Sequence, residues 1–114
     1  MASATTIFIP GLLCTEYLFH HQREAMPGGA VFADTRQHDT MTAMAEAALA
    51  QAPGQLIPVG LSMGGYVALE MARLAPSRIS AMALLSTSCR QDDAAQRAYR
   101  EQAIKLAGQD GFRG

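Results

Sequence analysis

The chain has 114 residues, 49% of them apolar and 17% charged, which suits one packed domain and argues against disorder. Nine basic residues against ten acidic ones leave a formal charge of -1 and a pI near 6.3, too little excess for a nucleic-acid-binding face. Met1 to Thr6 lacks the positive region of a signal peptide. The uncharged stretch Ala47–Leu69 is interrupted by Pro53, Gly54, Pro58, Gly60, Gly64 and Gly65, so no membrane span is expected.

In chain order, Thr5–Ile9 is β-branched and aromatic and stops at Pro10-Gly11, as a short buried strand does. A helix is expected over Tyr17–Met26, closed by Pro27-Gly28-Gly29. A second strand over Ala30–Ala33 runs out into polar residues Asp34 to Asp39. Asp39 or Thr40 caps the next helix, in which Met41, Met44, Ala45, Ala48 and Leu49 recur at helical spacing up to Ala52-Pro53-Gly54. A third strand, Leu56–Val59, leads into Gly60-Leu61-Ser62-Met63-Gly64-Gly65. A helix from about Met63 to Ala75 follows, stopped by Pro76. Ile79–Leu85 reads as a fourth strand. Asp92–Ala107 reads as an exposed helix with an Asp93/Gln96 capping box, Lys105 near its end and Gly108 as its C′ residue. On this helix Arg97, Arg100 and Lys105 mark a solvated face, and Tyr99 helps to close a cap.

Strands alternating with helices, each strand a continuous apolar run, predict an α/β fold: a parallel sheet with helices on both faces. Pro58 counts against this, because a central strand should not lack a ladder donor.

Gly60-x-Ser62-x-Gly64 lies where a buried strand turns into a helix. A serine on so tight a bend is pushed out above the sheet, and glycines two residues to either side remove Cβ atoms that would collide across it. The helix directs its amides and positive dipole end at whatever the serine attacks, so the Met63 amide is a donor for a developing oxyanion. The loop after the first strand offers a second donor: Gly11 allows a sharp turn that presents the Leu12 amide.

Pro10-Gly11-Leu12-Leu13-Cys14 together with Gly60-Leu61-Ser62-Met63-Gly64-Gly65-Tyr66-Val67-Ala68-Leu69-Glu70 resembles the α/β-hydrolase superfamily, in its bacterial esterase-like branch. The resemblance implies Ser62 as nucleophile, Leu12 and Met63 as oxyanion donors, and an ester or related carbonyl compound as the small-molecule substrate. It implies no cofactor. The four strands then take spatial order 2-1-3-4, a partial α/β-hydrolase fold, with residues 1–89 as the core and 90–114 as the start of a cap or lid.

The family's triad runs serine, acid, histidine, whereas His20, His21 and His38 all precede Ser62. The reading is therefore of an N-terminal half that is nearly inactive alone, with a non-catalytic binding or assembly module as the alternative. Asp92 and Asp93 are better explained as helix caps than as a catalytic acid. The 79–85 strand, an edge without charge or proline, is expected to drive self-association or aggregation. Cys14 and Cys89 read as reduced thiols of a cytoplasmic protein. No metal site is expected, since the cysteines are isolated and His20-His21 lacks the i, i+4 spacing of helix ligands.

Overall fold

The computed structural model describes residues 3–26 and 28–111. Four parallel strands, β1 (Thr5–Ile9), β2 (Val31–Phe32), β3 (Leu56–Leu61) and β4 (Ala83–Leu85), lie in the order β2-β1-β3-β4. This is the α/β architecture and the strand order expected from the sequence. Register pairs Ile7 with Pro58 and Ile9 with Gly60, so these residues share one face with Leu56. Over that face pack helices α2 (Met41–Ala50) and α3 (Met63–Leu74), burying Met44, Ala45 and Ala48 from the first and Val67, Ala68 and Met71 from the second.

Phe8 points the other way. Its ring lies 4.9 Å from Phe19 and 5.3 Å from Phe32. That cover ends at β3, where Ile57, Val59 and Leu61 stay half-buried.

Pro58 sits inside the central strand at no cost to the ladder. Leu56 O accepts from Ser80 N (3.0 Å) and Ser62 N donates to Leu85 O (2.9 Å), so the even-numbered residues of β3 face β4. On that side the ladder is interrupted. Leu56 bridges Ile79, but pairing resumes only at Val59 with Ala83, one residue out of step. The missing N–H of Pro58 falls in that bulge, where no partner strand asks for it. The expected strand over 79–85 is thus a single bridge at Ile79 followed by a three-residue strand.

Two other elements differ from expectation. The first helix begins as a 3₁₀ turn over Glu16–Phe19, because the Thr15 hydroxyl accepts from Tyr17 N and starts the turn early. Only α1 (His20–Ala25) is α-helical, and Pro27, expected to end it, lies outside the described residues. Helix α4 (Ala94–Ala107) has the expected capping box in full. Gly108, however, is right-handed (φ -81°), so its helix ends without the left-handed cap that glycine usually supplies. Thr40, not Asp39, caps α2, accepting from Ala43 N at 3.1 Å.

Glu70 ties α2 to α3. Its carboxylate accepts from Thr42 Oγ1 (2.8 Å) and from Arg73 Nε (2.8 Å). The Arg73 hydrogen bonds first, then that of Thr42, pull its pKa down from 4.5 to about 2. The folded value lies below the unfolded one, so the stability it contributes is full above pH 4.5 and is lost as pH falls through about 2. Glu70→Gln is therefore expected to flatten the acid limb of the unfolding midpoint between those pH values. An unchanged limb would refute the linkage.

Candidate active site

Among the described residues, three non-glycine residues have positive φ: Leu13 (62°), Ser62 (55°) and Ser86 (49°). Each follows the carboxyl end of a strand, β1, β3 and β4 in turn, the edge where open parallel sheets bind ligands. Backbone strain is thus gathered at one edge of the sheet.

Ser62 carries the most unusual conformation. With φ 55° and ψ -115° it lies outside even the left-handed helical region. Such a backbone costs on the order of 1–3 kcal/mol and persists only when its surroundings over-determine it. They do so here. Ser62 N donates to Leu85 O at 2.9 Å, and Ser62 O accepts from Gly65 N at 2.9 Å and from Thr87 Oγ1 at 2.8 Å. The side chain is exposed, standing at the N-terminus of α3 and free of helix packing.

Glycines make the bend physically possible. A Cβ on Gly60 would strike the Gly64 carbonyl and come within 2.7 Å of Gly65 N. One on Gly64 would strike the Ile9 carbonyl and come within 2.8 Å of Pro10 O. Gly65, which the sequence reading left without a role, makes room for Thr87, whose side chain a Cβ there would overlap. Leu85 at the end of β4 and Thr87 just beyond it hold the elbow from afar in sequence, and no local pattern announces them.

The loop after β1 reaches the same place. Cys14 N donates to Gly11 O at 3.1 Å, closing a tight turn around exposed Leu12 and Leu13. The sharp conformation expected at Gly11 falls on Leu13 instead. A Cβ on Gly11 would meet Leu61 and Ser62 Cβ at ordinary contact distances of 3.5–3.6 Å, which also places this loop against the serine. Among the described residues, neither the Leu12 nor the Met63 amide donates to a main-chain carbonyl.

Several of the remaining candidates are engaged elsewhere. His20 stacks on Tyr17 with ring centroids 4.5 Å apart, and its Nδ1 lies 3.0 Å from the Tyr17 carbonyl. His21 and His38 are exposed. Asp34 accepts from the Arg36 side chain and amide and from Gln37, and these bonds hold its carboxyl well below the usual range. Asp93 caps α4. Arg100, expected on the solvated face of α4, is exposed and also pairs with Asp92 at 2.7 Å and lies 3.4 Å from the Tyr66 hydroxyl. No helix among the described residues is long and apolar enough to cross a membrane.

A model of the alpha/beta hydrolase fold matches residues 14–109. The chain belongs to the α/β-hydrolase family. Among solved structures it is similar to a thermophilic esterase from Thermogutta terrifontis with malate bound, at 22% identity and a TM-score of 0.81 over 96% of this chain and 46% of that one. It is also similar to a marine microorganism esterase, at 14% identity and TM-score 0.71 over 98% and 49%. A third is the N-formylmaleamic acid deformylase of Pseudomonas putida S16, at 20% identity and TM-score 0.61 over 92% and 48%. This α/β-hydrolase chain thus spans about half the length of the structures it matches. No curated protein matches it.

Proposed function

We propose that Ser62 is the nucleophile of an acyl-transfer hydrolase acting on an ester or related carbonyl substrate. The observation that carries this is the strained, multiply anchored backbone that holds an exposed hydroxyl at the N-terminus of α3. Ser62 Oγ adds to the carbonyl carbon as its proton passes to a base. The carbonyl electron pair moves onto oxygen, where the Leu12 and Met63 amides and the helix dipole stabilise it. Collapse expels the alcohol and leaves an acyl-serine for water to hydrolyse. The base is a histidine from outside these 114 residues, paired with an acid, since those of this chain lie on α1 and in the loop before α2. Residues from 90 onward begin a cap over the site.

A fluorophosphonate probe followed by mass spectrometry tests this. The expected result is slow modification at Ser62, accelerated by imidazole in solution as a stand-in base and abolished in Ser62→Ala. A positioned general base is worth about 10²–10⁴-fold, and free imidazole should restore part of that. Equal labelling of Ser62→Ala would overturn the assignment. The second reading, an assembly module, draws on the exposed short edge β4. A chain that stays unlabelled with imidazole present and elutes as a dimer would favour it.

A further inference from the structure

Ser62 and Met63 share one peptide unit, and it is trans, so the Ser62 carbonyl and the Met63 N–H lie in one plane and point in opposite directions. Whatever fixes the carbonyl therefore fixes the direction of the amide. Two donors hold that oxygen: Gly65 N at 2.9 Å from within α3, and Thr87 Oγ1 at 2.8 Å from the segment beyond β4. Among the described residues, the Met63 N–H on the far side is engaged by no main-chain carbonyl.

The Thr87 bond stands where a regular sheet would make a different one. Ser62 N donates to Leu85 O, so the next rung of a parallel ladder would run from Thr87 N to Ser62 O. The strand ends at Leu85 instead, and Ser86, with φ 49°, turns the chain out of it. The Thr87 hydroxyl then takes the place of its own amide. Gly65 makes the space, since a Cβ there would overlap the threonine side chain. A left-handed serine, a bare helix position and a hydroxyl thus converge on one carbonyl oxygen, whose two lone pairs receive two donors.

We propose that Thr87 is a positioning residue for the oxyanion site: by holding the Ser62 carbonyl, it aims the Met63 amide at the oxygen on which charge develops. The inference rests on Ser62 being the nucleophile. Gly65 belongs to the helix and Thr87 to the sheet edge, so together they fix a peptide plane that either alone leaves free to tilt. A second effect is electronic. A carbonyl that accepts two hydrogen bonds polarises its peptide and makes the opposite N–H a stronger donor.

The test is the rate of Ser62 modification by a fluorophosphonate probe in imidazole buffer. Ser62 Oγ bonds to phosphorus, fluoride leaves and imidazole takes the proton, while negative charge builds on the phosphoryl oxygen. Losing an oxyanion donor outright costs about 10²–10³-fold, so Thr87→Val, which misaims the donor without removing it, is expected to slow labelling by about tenfold. Thr87→Ser keeps the hydroxyl and should restore most of the rate. In the phosphonylated protein the Met63 amide proton should move downfield, and by less in Thr87→Val, a readout that simple packing of Thr87 would not move. A wild-type rate in Thr87→Val, or an amide shift unaffected by that substitution, overturns the inference and leaves Ser62 as nucleophile. Equal slowing in Thr87→Val and Thr87→Ser also overturns it, because side-chain volume and not the hydroxyl would then matter. If Ser62 stays unlabelled in the wild-type chain, the nucleophile reading fails and the inference falls with it.

Discussion

Gly64→Ala is expected to remove about 3–5 kcal/mol of folding free energy, a large share of what a chain of this size holds. The new methyl has nowhere to go. It would press on the carbonyl of Ile9 and lie 2.8 Å from that of Pro10, both main-chain groups at the end of a central strand. Relief requires α3 to lift off β1, which breaks the Gly65 and Thr87 hydrogen bonds that anchor Ser62. Phosphonate labelling should fall as the elbow loosens. Gly11→Ala is the contrasting control. Its contacts are ordinary and no positive φ is needed there, so an alanine should fall within about 1 kcal/mol of neutral, on the stabilising side if the unfolded chain's lost entropy dominates. Urea midpoints for the two variants decide the matter. Equal midpoints would mean that the elbow does not depend on close approach at Gly64.

The parts of this structure that could be read from sequence are those with a local cause. Ile7, Phe8 and Ile9 form an apolar run that ends at a turn, Asp93 and Gln96 stand three apart as a capping box must, and glycines bracket Ser62 because a bend there crowds the backbone. Other features have causes distant in sequence. Thr87 reaches Ser62 across 25 positions, and the bulge that shelters Pro58 depends on how residues 79 to 83 pair with β3. Arg100 is solvent-facing as periodicity predicts, but periodicity cannot show that Tyr66 and Asp92 lie beside it. The left-handed backbone of Leu13 has no local signal either. A left-handed leucine has no composition signal, and glycine at position 11 claimed the turn in its place.

Arg78 stabilises the fold with no local signal in the sequence, and Arg78→Ala is expected to cost about 2–4 kcal/mol. Its guanidinium donates to the carbonyls of Leu49 (2.7 Å), Ala52 and Gly54 (2.8 Å), in the last turn of α2 and the loop behind it. Helix ends leave such carbonyls without intrahelical partners, and here a cation satisfies them while opposing the negative end of the helix dipole. A hydrogen bond to a charged group is worth about 1.5–3 kcal/mol. Three of them do not add in full, because water can replace part of the half-buried arginine once it is cut back. The same contacts pin the turn after α3 to the loop before β3, beside the Gln55 Nε2 to Ser77 O bond at 2.6 Å, so removing them loosens two connections at once. Arg78→Lys should recover less than half of the loss, because a single ammonium cannot fork across three acceptors. In urea titration the midpoint should fall in both variants with the slope unchanged. A loss below about 0.5 kcal/mol in Arg78→Ala would mean that solvent caps α2 as well as the guanidinium does.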